Sequence, residues 1–283
     1  MDKKFTITDF KKAKENNEKI KILTAYDYPT AKIIDGAGID VVLVGDSLGM
    51  VVLGYEDTTR VTMEDMIHHL KAVSRGAKNA LIIADMPFAT FHCGKYESVK
   101  NAARLVREGG CNSVKLEGAE GVIDSIKAII NAGIPVMGHL GYTPQSINVF
   151  GGHIAQGKTL DKAQKLYEDA CALQEAGVFS IVLECVPFEL AGFIAERLSI
   201  PIIGIGSGSK CDGQVLVIND LIGMDKSFTP KHAERYLELD ELISQAVREY
   251  IDDIDKEAFP KERHSYIIEK DAMEKLREKY GSL

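Results

Sequence analysis

Eight short runs rich in β-branched residues recur along the chain, and this recurrence restricts its possible folds more than any single motif does. The runs are IKILTA (20–25), DVVLVG (40–45), ALIIA (80–84), SVKL (113–116), IPVMG (134–138), FSIVL (179–183), PIIGI (201–205) and QVLVI (214–218). Strands covered on both faces need continuous apolarity rather than strict alternation. Between most of the runs lie amphipathic segments with helical spacing, such as MEDMIHHLKAVSR (63–75) and SVKNAARLVRE (98–108). Four connections close alike: Ala37-Gly38 precedes the second run, Gly109-Gly110 the fourth, Ala132-Gly133 the fifth and Ala176-Gly177 the sixth. A glycine just past a helix takes left-handed backbone angles at little cost and turns the chain into the next strand. The pattern predicts an α/β fold, a (β/α)8 TIM barrel, with a doubly wound open sheet as the alternative.

A chain of 283 residues, 45% apolar and 27% charged, can fill one such barrel. No proline- or serine-rich linker divides it, so residues 1–283 read as a single domain. After about Asp225 the sequence turns charged and helical (KHAERYLELDELISQAVREYIDDIDKEAF), followed by a mixed tail. Residues 225–283 are expected to be a C-terminal helical extension packing on the barrel or on a neighbouring subunit. A net charge of -8 argues against a nucleic-acid surface, which needs clustered lysine and arginine. The five cysteines are widely spaced, without a Cys-x-x-Cys pair, which suggests neither a zinc knuckle nor a disulfide framework. The N-terminal stretch has no signal-peptide core, and no apolar run approaches the roughly 20 residues of a membrane helix. A soluble, cytoplasmic protein is expected.

The runs end in polar residues, where barrels carry their chemistry. Gly45-Asp46-Ser47 follows the second, Asp85-Met86-Pro87 the third, and Lys115-Leu116-Glu117-Gly118 closes the fourth. Gly138-His139-Leu140-Gly141 closes the fifth and Glu184-Cys185 the sixth. A lone acid at a strand end is often a helix cap, but acids on successive strands of a closed barrel converge on one mouth. Together they repel unless a cation neutralises them. Asp46, Asp85 and Glu117 offer hard oxygen donors, with one histidine nearby, which favours Mg²⁺, with Mn²⁺ or Co²⁺ as substitutes. A 2-oxo acid can chelate such an ion through its keto and carboxylate oxygens. Lys115 could counter a substrate carboxylate, form a Schiff base, or pair with Glu117; surrounding carboxylates favour the charged ammonium and hence the electrostatic role. Ser47 could bind substrate or cap the next helix. The glycines of Gly204-Ile205-Gly206-Ser207-Gly208 imitate a dinucleotide fingerprint but read better as the loop after strand seven. His68 and His69 read as structural or surface residues, and no Ser-His-Asp arrangement is legible.

These residues stand in segments that resemble the ketopantoate hydroxymethyltransferase family: TAYDYPTAKIIDGAGID (24–40), VGDSLGMVVLGYEDTTRVTMEDM (44–66), IADMPF (83–88), VKLEG (114–118), GHLGYTPQSIN (138–148), GGHIAQGK (151–158), LECVP (183–187) and GIGSGSKCDGQVLVIND (204–220). FTPKHAERY (228–236) is similar as well. The resemblance implies a (β/α)8 barrel that transfers a one-carbon unit from 5,10-methylenetetrahydrofolate to 3-methyl-2-oxobutanoate. The product, 2-dehydropantoate, leads to pantothenate and coenzyme A. It further implies one Mg²⁺ per subunit held by Asp46 and Asp85, with Glu117 near it or in its shell. Asp46, Ser47, Asp85 and Lys115 would contact the oxo acid, Glu184 would accept the proton, and His139 is a possible further site residue. A homodecamer of two stacked pentameric rings is implied too. Residues 89–98 (ATFHCGKYES), Ala119, Tyr142, His153 and Ser207 depart from the family pattern, and none of these departures removes a charged site residue. The rival readings are another metal-dependent 2-oxo acid aldolase or lyase on a similar barrel, and a barrel that only binds oxo acids.

Overall fold

The structure, a computed structural model, describes residues 4–150, 155–226 and 230–281. The predicted runs become eight parallel strands closed into a barrel in chain order: β1 (Ile20–Thr24), β2 (Val41–Val44), β3 (Leu81–Asp85), β4 (Ser113–Glu117), β5 (Val136–Gly141), β6 (Ser180–Glu184), β7 (Ile202–Ile205) and β8 (Gly213–Leu216). Closure is made by β8 lying beside β1, with Ile20 opposite Gly213 and Ile22 opposite Val215. This settles the choice between barrel and open sheet.

Side chains alternate across a strand, so each strand feeds two separate layers. Val42, Val44, Ile82, Ala84, Val114, Leu116, Ile181 and Leu183 point outward, into the layer between sheet and helices. Val41, Leu43, Leu81, Ile83, Met137, Val182 and Ile203 fill the interior. The N-terminal helix Ile7–Glu15 inserts Phe10, fully buried, into that inner cluster, and its ring meets Phe179 edge-on at 5.0 Å. The N-terminal end of the barrel is therefore plugged by hydrocarbon, and polar inward-facing residues are found towards the other end.

The helix Met63–Gly76 shows how the outer layer forms. Thr62 and Asp65 make a reciprocal capping box, and Met63, Met66, Ile67, Leu70 and Val73 make a buried stripe at helical spacing. The four glycine signals hold: Gly38, Gly110, Gly133 and Gly177 all have φ between 86° and 95°. The 98–108 segment is helical from Lys95, and its last turn, Leu105–Gly109, is wider than an α-helical turn. No helix separates β7 from β8, which are joined by the loop of residues 206–212. The helix Leu239–Asp255 has no buried residue, and Leu242, Ile243, Val247, Tyr250, Ile251 and Ile254 are exposed along it. Within the single chain the barrel does not cover that face.

Asp35, at the end of the helix before β2, ties that helix to the start of β3. It is 8% exposed and accepts hydrogen bonds from the backbone N–H of Asn79 (2.9 Å) and Ala80 (2.7 Å). Burial alone would raise its pKa, but the N–H donors of Ala80, Lys78 and Asn79 outweigh it and hold the carboxyl below its ordinary value. Because the folded pKa is depressed, the stabilisation is present above the unfolded pKa of about 3.9 and is lost as pH falls through the folded one. Asp35→Ala is expected to cost about 1–3 kcal/mol at pH 7, by stranding buried N–H groups. Urea unfolding at pH 7 and pH 3 should show the gap between variant and parent closing at the lower pH.

Candidate active site at the barrel mouth

Inward parity, which fills the lower barrel with hydrocarbon, delivers charged groups one layer higher. Asp85, Lys115, Glu117, His139 and Glu184 all stand on the inward face of their strands, and the ladder sets Asp85 opposite Lys115 and Glu117 opposite His139. Several strands run on beyond their apolar runs to include these residues, and β5 starts later and ends later than its run, at Gly141 opposite Glu184. Asp46 and Ser47 follow β2 directly. Together they line a cavity of about 660 Å³. Every residue singled out for the site thus reaches one pocket.

Charge is packed densely at the floor of this pocket. The Lys115 ammonium lies 2.8 Å from Asp85 Oδ1 as an ion pair, with both side chains 5% exposed. Asp85 Oδ2 accepts the backbone N–H of Asp46 at 3.1 Å. Burial, followed by repulsion from Asp85 and Glu117, pushes the Asp46 carboxyl well above the usual carboxylate range. Glu117 is also raised by burial and by Asp85, against the pull of Lys115. Burial disfavours the charged form of Lys115, but Asp85, Glu117 and Asp46 more than reverse this and hold it protonated. A protonated amine is no nucleophile, so the Schiff-base role is set aside, and its partner is Asp85 rather than Glu117.

His139 links the floor to Glu184. Its Nδ1 lies 3.2 Å from Lys115 Nζ and 3.3 Å from Glu117 Oε1, and its Nε2 lies 3.2 Å from Glu184 Oε2 without the alignment of a hydrogen bond. Burial and Lys115 lower its pKa, so the ring is neutral and carries one N–H. Nδ1 cannot both accept from the ammonium and donate to Glu117; acceptance from Lys115 places the proton on Nε2, facing Glu184. Glu184 is less buried than the floor acids, at 16% exposure against 4–5% for Glu117 and Asp85. Its backbone is firmly held: the N–H of Tyr142 donates to its carbonyl at 2.8 Å, and a Cβ on Gly141 would come within 2.2 Å of that oxygen. Ser207 donates to Leu183 O at 2.7 Å and accepts from Val186 N, which binds the loop after β7 to the end of β6.

Sequence reasoning missed Gln145, in the turn after β5. Its side-chain amide donates to Asp46 Oδ2 (2.8 Å) and Met86 O (2.9 Å), and its backbone N–H donates to Glu117 Oε2 (3.0 Å). The only signal was an amide in the TPQS turn beside the acidic strand ends. Ser47 does not cap: its Oγ lies 2.8 Å from the Tyr26 hydroxyl and makes no capping bond to the short helix that follows. His69 is structural, its Nδ1 lying 2.6 Å from Tyr26 O, and His68 is exposed. His153 lies outside the described residues. A second cavity, of about 310 Å³, lies near the N-terminal helix, where Lys14 is already taken up by Ala195 O and Asp212.

The donor set suits a divalent cation. Among the described residues, Asp46, Asp85 and Glu117 are buried against a single ammonium, Lys115, a crowding of carboxyl groups that one hard cation would relieve. Among the described residues no three His, Cys, Asp or Glu side chains are already gathered in coordinating geometry. Asp46 and Asp85 are the adjacent pair, while Glu117 is engaged by Gln145 and faces His139.

Fold and pocket together define a (β/α)8-barrel enzyme with an acid-lined mouth. The chain belongs to the ketopantoate hydroxymethyltransferase family, whose model matches residues 4–262. It is 63% identical over 280 residues to the 3-methyl-2-oxobutanoate hydroxymethyltransferase of Acetivibrio thermocellus, covering 98% of this chain and 99% of that one. The enzymes of the same name from Clostridium novyi (55% identical) and Enterococcus faecalis (54%) each match 96% of this chain and 99% of their own. Among solved structures, oxaloacetate acetylhydrolase with 3,3-difluorooxalacetate superposes with a TM-score of 0.59 at 14% identity, covering 100% of this chain and 99% of that chain. 2,3-Dimethylmalate lyase, of the PEP mutase/isocitrate lyase superfamily, gives 0.56 at 16%, covering 97% and 99%. At such identities these two structures speak for the fold alone. The chain is accordingly a hydroxymethyltransferase.

Proposed function

We propose that this enzyme moves the one-carbon unit of 5,10-methylenetetrahydrofolate to C3 of 3-methyl-2-oxobutanoate, yielding 2-dehydropantoate on the route to pantothenate and coenzyme A. The observation that carries this reading is the pairing of an accessible base, Glu184, with a buried cluster of carboxylates and one ammonium on the floor of the same cavity. Asp46 and Asp85 would hold one Mg²⁺ per subunit, with Glu117 behind them, held in place by Gln145. The ion, when bound, would stabilise the negative charge that gathers on the keto oxygen as C3 is deprotonated. Lys115 and Ser47 orient the oxo acid, Lys115 facing its carboxylate. Glu184 takes the C3 proton, and the neutral His139 presents its Nε2–H to that carboxyl. Water opens both C–N bonds of the folate's methylene bridge, its oxygen leaving with the carbon as formaldehyde and its two hydrogens going to the folate nitrogens. The C3 electron pair adds to that carbon, and the proton held by Glu184 passes to the new alkoxide.

The same reading places the enzyme in the cytoplasm as a homodecamer, with the exposed apolar side of Leu239–Asp255 covered by a neighbouring subunit. In keeping with a soluble protein, no helix of the described residues is long and apolar enough to cross a membrane. The test is consumption of 3-methyl-2-oxobutanoate with the folate and Mg²⁺ each present and withheld. Omitting either should abolish turnover. Full turnover without the folate would favour an aldolase or lyase, and full turnover of rigorously stripped enzyme would defeat the chelation model.

A further inference from the structure

A five-carbon oxo acid fills only a fraction of a 660 Å³ cavity, and the acidic floor accounts for its polar recognition. The remainder lies above β8, β1 and β2, which are adjacent in the barrel. It is framed by Met50, Val51 and Thr58 after β2, by Val217 and Asp220 after β8, and by His232. Two contacts fix these walls. Asn219 Nδ2 reaches Val51 O at 3.5 Å, and His232 stands so close over Gly206 (φ 65°) that a Cβ there would come 3.0 Å from the His232 Cβ.

Two polar groups in this part of the cavity have no role in the mechanism. Asp220 is half-buried and its carboxylate accepts no hydrogen bond among the described residues. Burial raises its pKa, while the Arg235 guanidinium and the His232 ring pull the other way. Thr58 is 2% exposed, and its hydroxyl has no hydrogen-bond partner among the described residues. Apolar walls with one under-used carboxylate suit a flat heterocycle that presents paired N–H donors on one edge.

We infer that this region seats the pteridine end of the reduced folate, with the Asp220 carboxylate accepting from the two N–H groups of its amidine edge and the Thr58 hydroxyl bonding the ring. Met50, Val51 and Val217 supply the apolar bed, and His232 closes over it. The one-carbon unit is then carried across the mouth, towards the oxo acid on the acidic floor. This inference rests on the folate-dependent function proposed above.

The test is Asp220→Asn, which keeps size and removes charge. The KM for 5,10-methylenetetrahydrofolate should rise about tenfold to a hundredfold, the loss of a charge-assisted hydrogen-bond pair. The KM for the oxo acid and its folate-independent C3 proton exchange should stay within about twofold, which a misfolded variant could not do. Thr58→Val should move the folate KM in the same direction by a smaller factor. An unchanged folate KM in Asp220→Asn, or an equal loss of C3 exchange, overturns the assignment. A parent enzyme that turns over without folate would sink the proposed function itself, before any variant is made.

Discussion

Replacing Glu184 with glutamine lowers the rate of C3 proton exchange from 3-methyl-2-oxobutanoate by about 10²–10⁴, while the oxo acid still binds. The reason is positional. Glu184 is more open, at 16% exposure, than Asp85 and Glu117 at 4–5%, and its backbone is fixed by Tyr142 N and by the close approach of Gly141. The glutamine amide preserves that shape and the contact with His139 but has no lone pair basic enough to take the proton. Exchange into deuterated water, followed by NMR, reads the step without the folate. Normal exchange in the variant would exclude Glu184 as the base.

Lys115→Met should be the most destabilising change at the mouth, costing about 3–5 kcal/mol in metal-free protein. The methionine fills much of the aliphatic stem's volume, so the cost is electrostatic rather than a cavity. Asp85 loses its partner at 2.8 Å, and Asp46 and Glu117 lose the ammonium that opposes the rise of their pKa. Urea unfolding in the presence of chelator measures this directly. A loss below about 0.5 kcal/mol would mean that the carboxylates are not charged together, and the case for a cation between them would weaken. The same variant should bind the oxo acid poorly, since the counter-charge to its carboxylate is gone.

The barrel was legible because its evidence is local and repeated. Each strand run is a few residues of β-branched hydrocarbon, and Gly38, Gly110, Gly133 and Gly177 each encode their own turn. The floor of the site followed, since acids at strand ends of a closed barrel have nowhere else to converge. Which faces turn inward was also latent in the sequence: the period of two that buries Ile83 in the interior sends Asp85 there as well. What stayed hidden depends on loop paths that no short window specifies. Gln145 reaches Asp46, Glu117 and Met86 only because the chain after β5 doubles back over the mouth. Asp220 and His232 enter from segments beyond β8: Asp220 follows a run read only as a strand, and His232 lies where composition suggested only a helical extension. Ser207 stood out as a departure, but its bond to Leu183 O could not be foreseen without the β6–β7 pairing. The missing helix between β7 and β8 was equally invisible, because the segment is defined by its glycines rather than by a periodicity.

Anomalous diffraction from crystals soaked with Mn²⁺ and 3-methyl-2-oxobutanoate would locate the ion itself. The account predicts one peak per chain at the barrel mouth, in contact with Asp46 and Asp85 carboxylate oxygens and within the same cavity as Glu184. At saturating Mn²⁺, a mouth without a peak, or a peak that leaves Asp46 and Asp85 untouched, would contradict it.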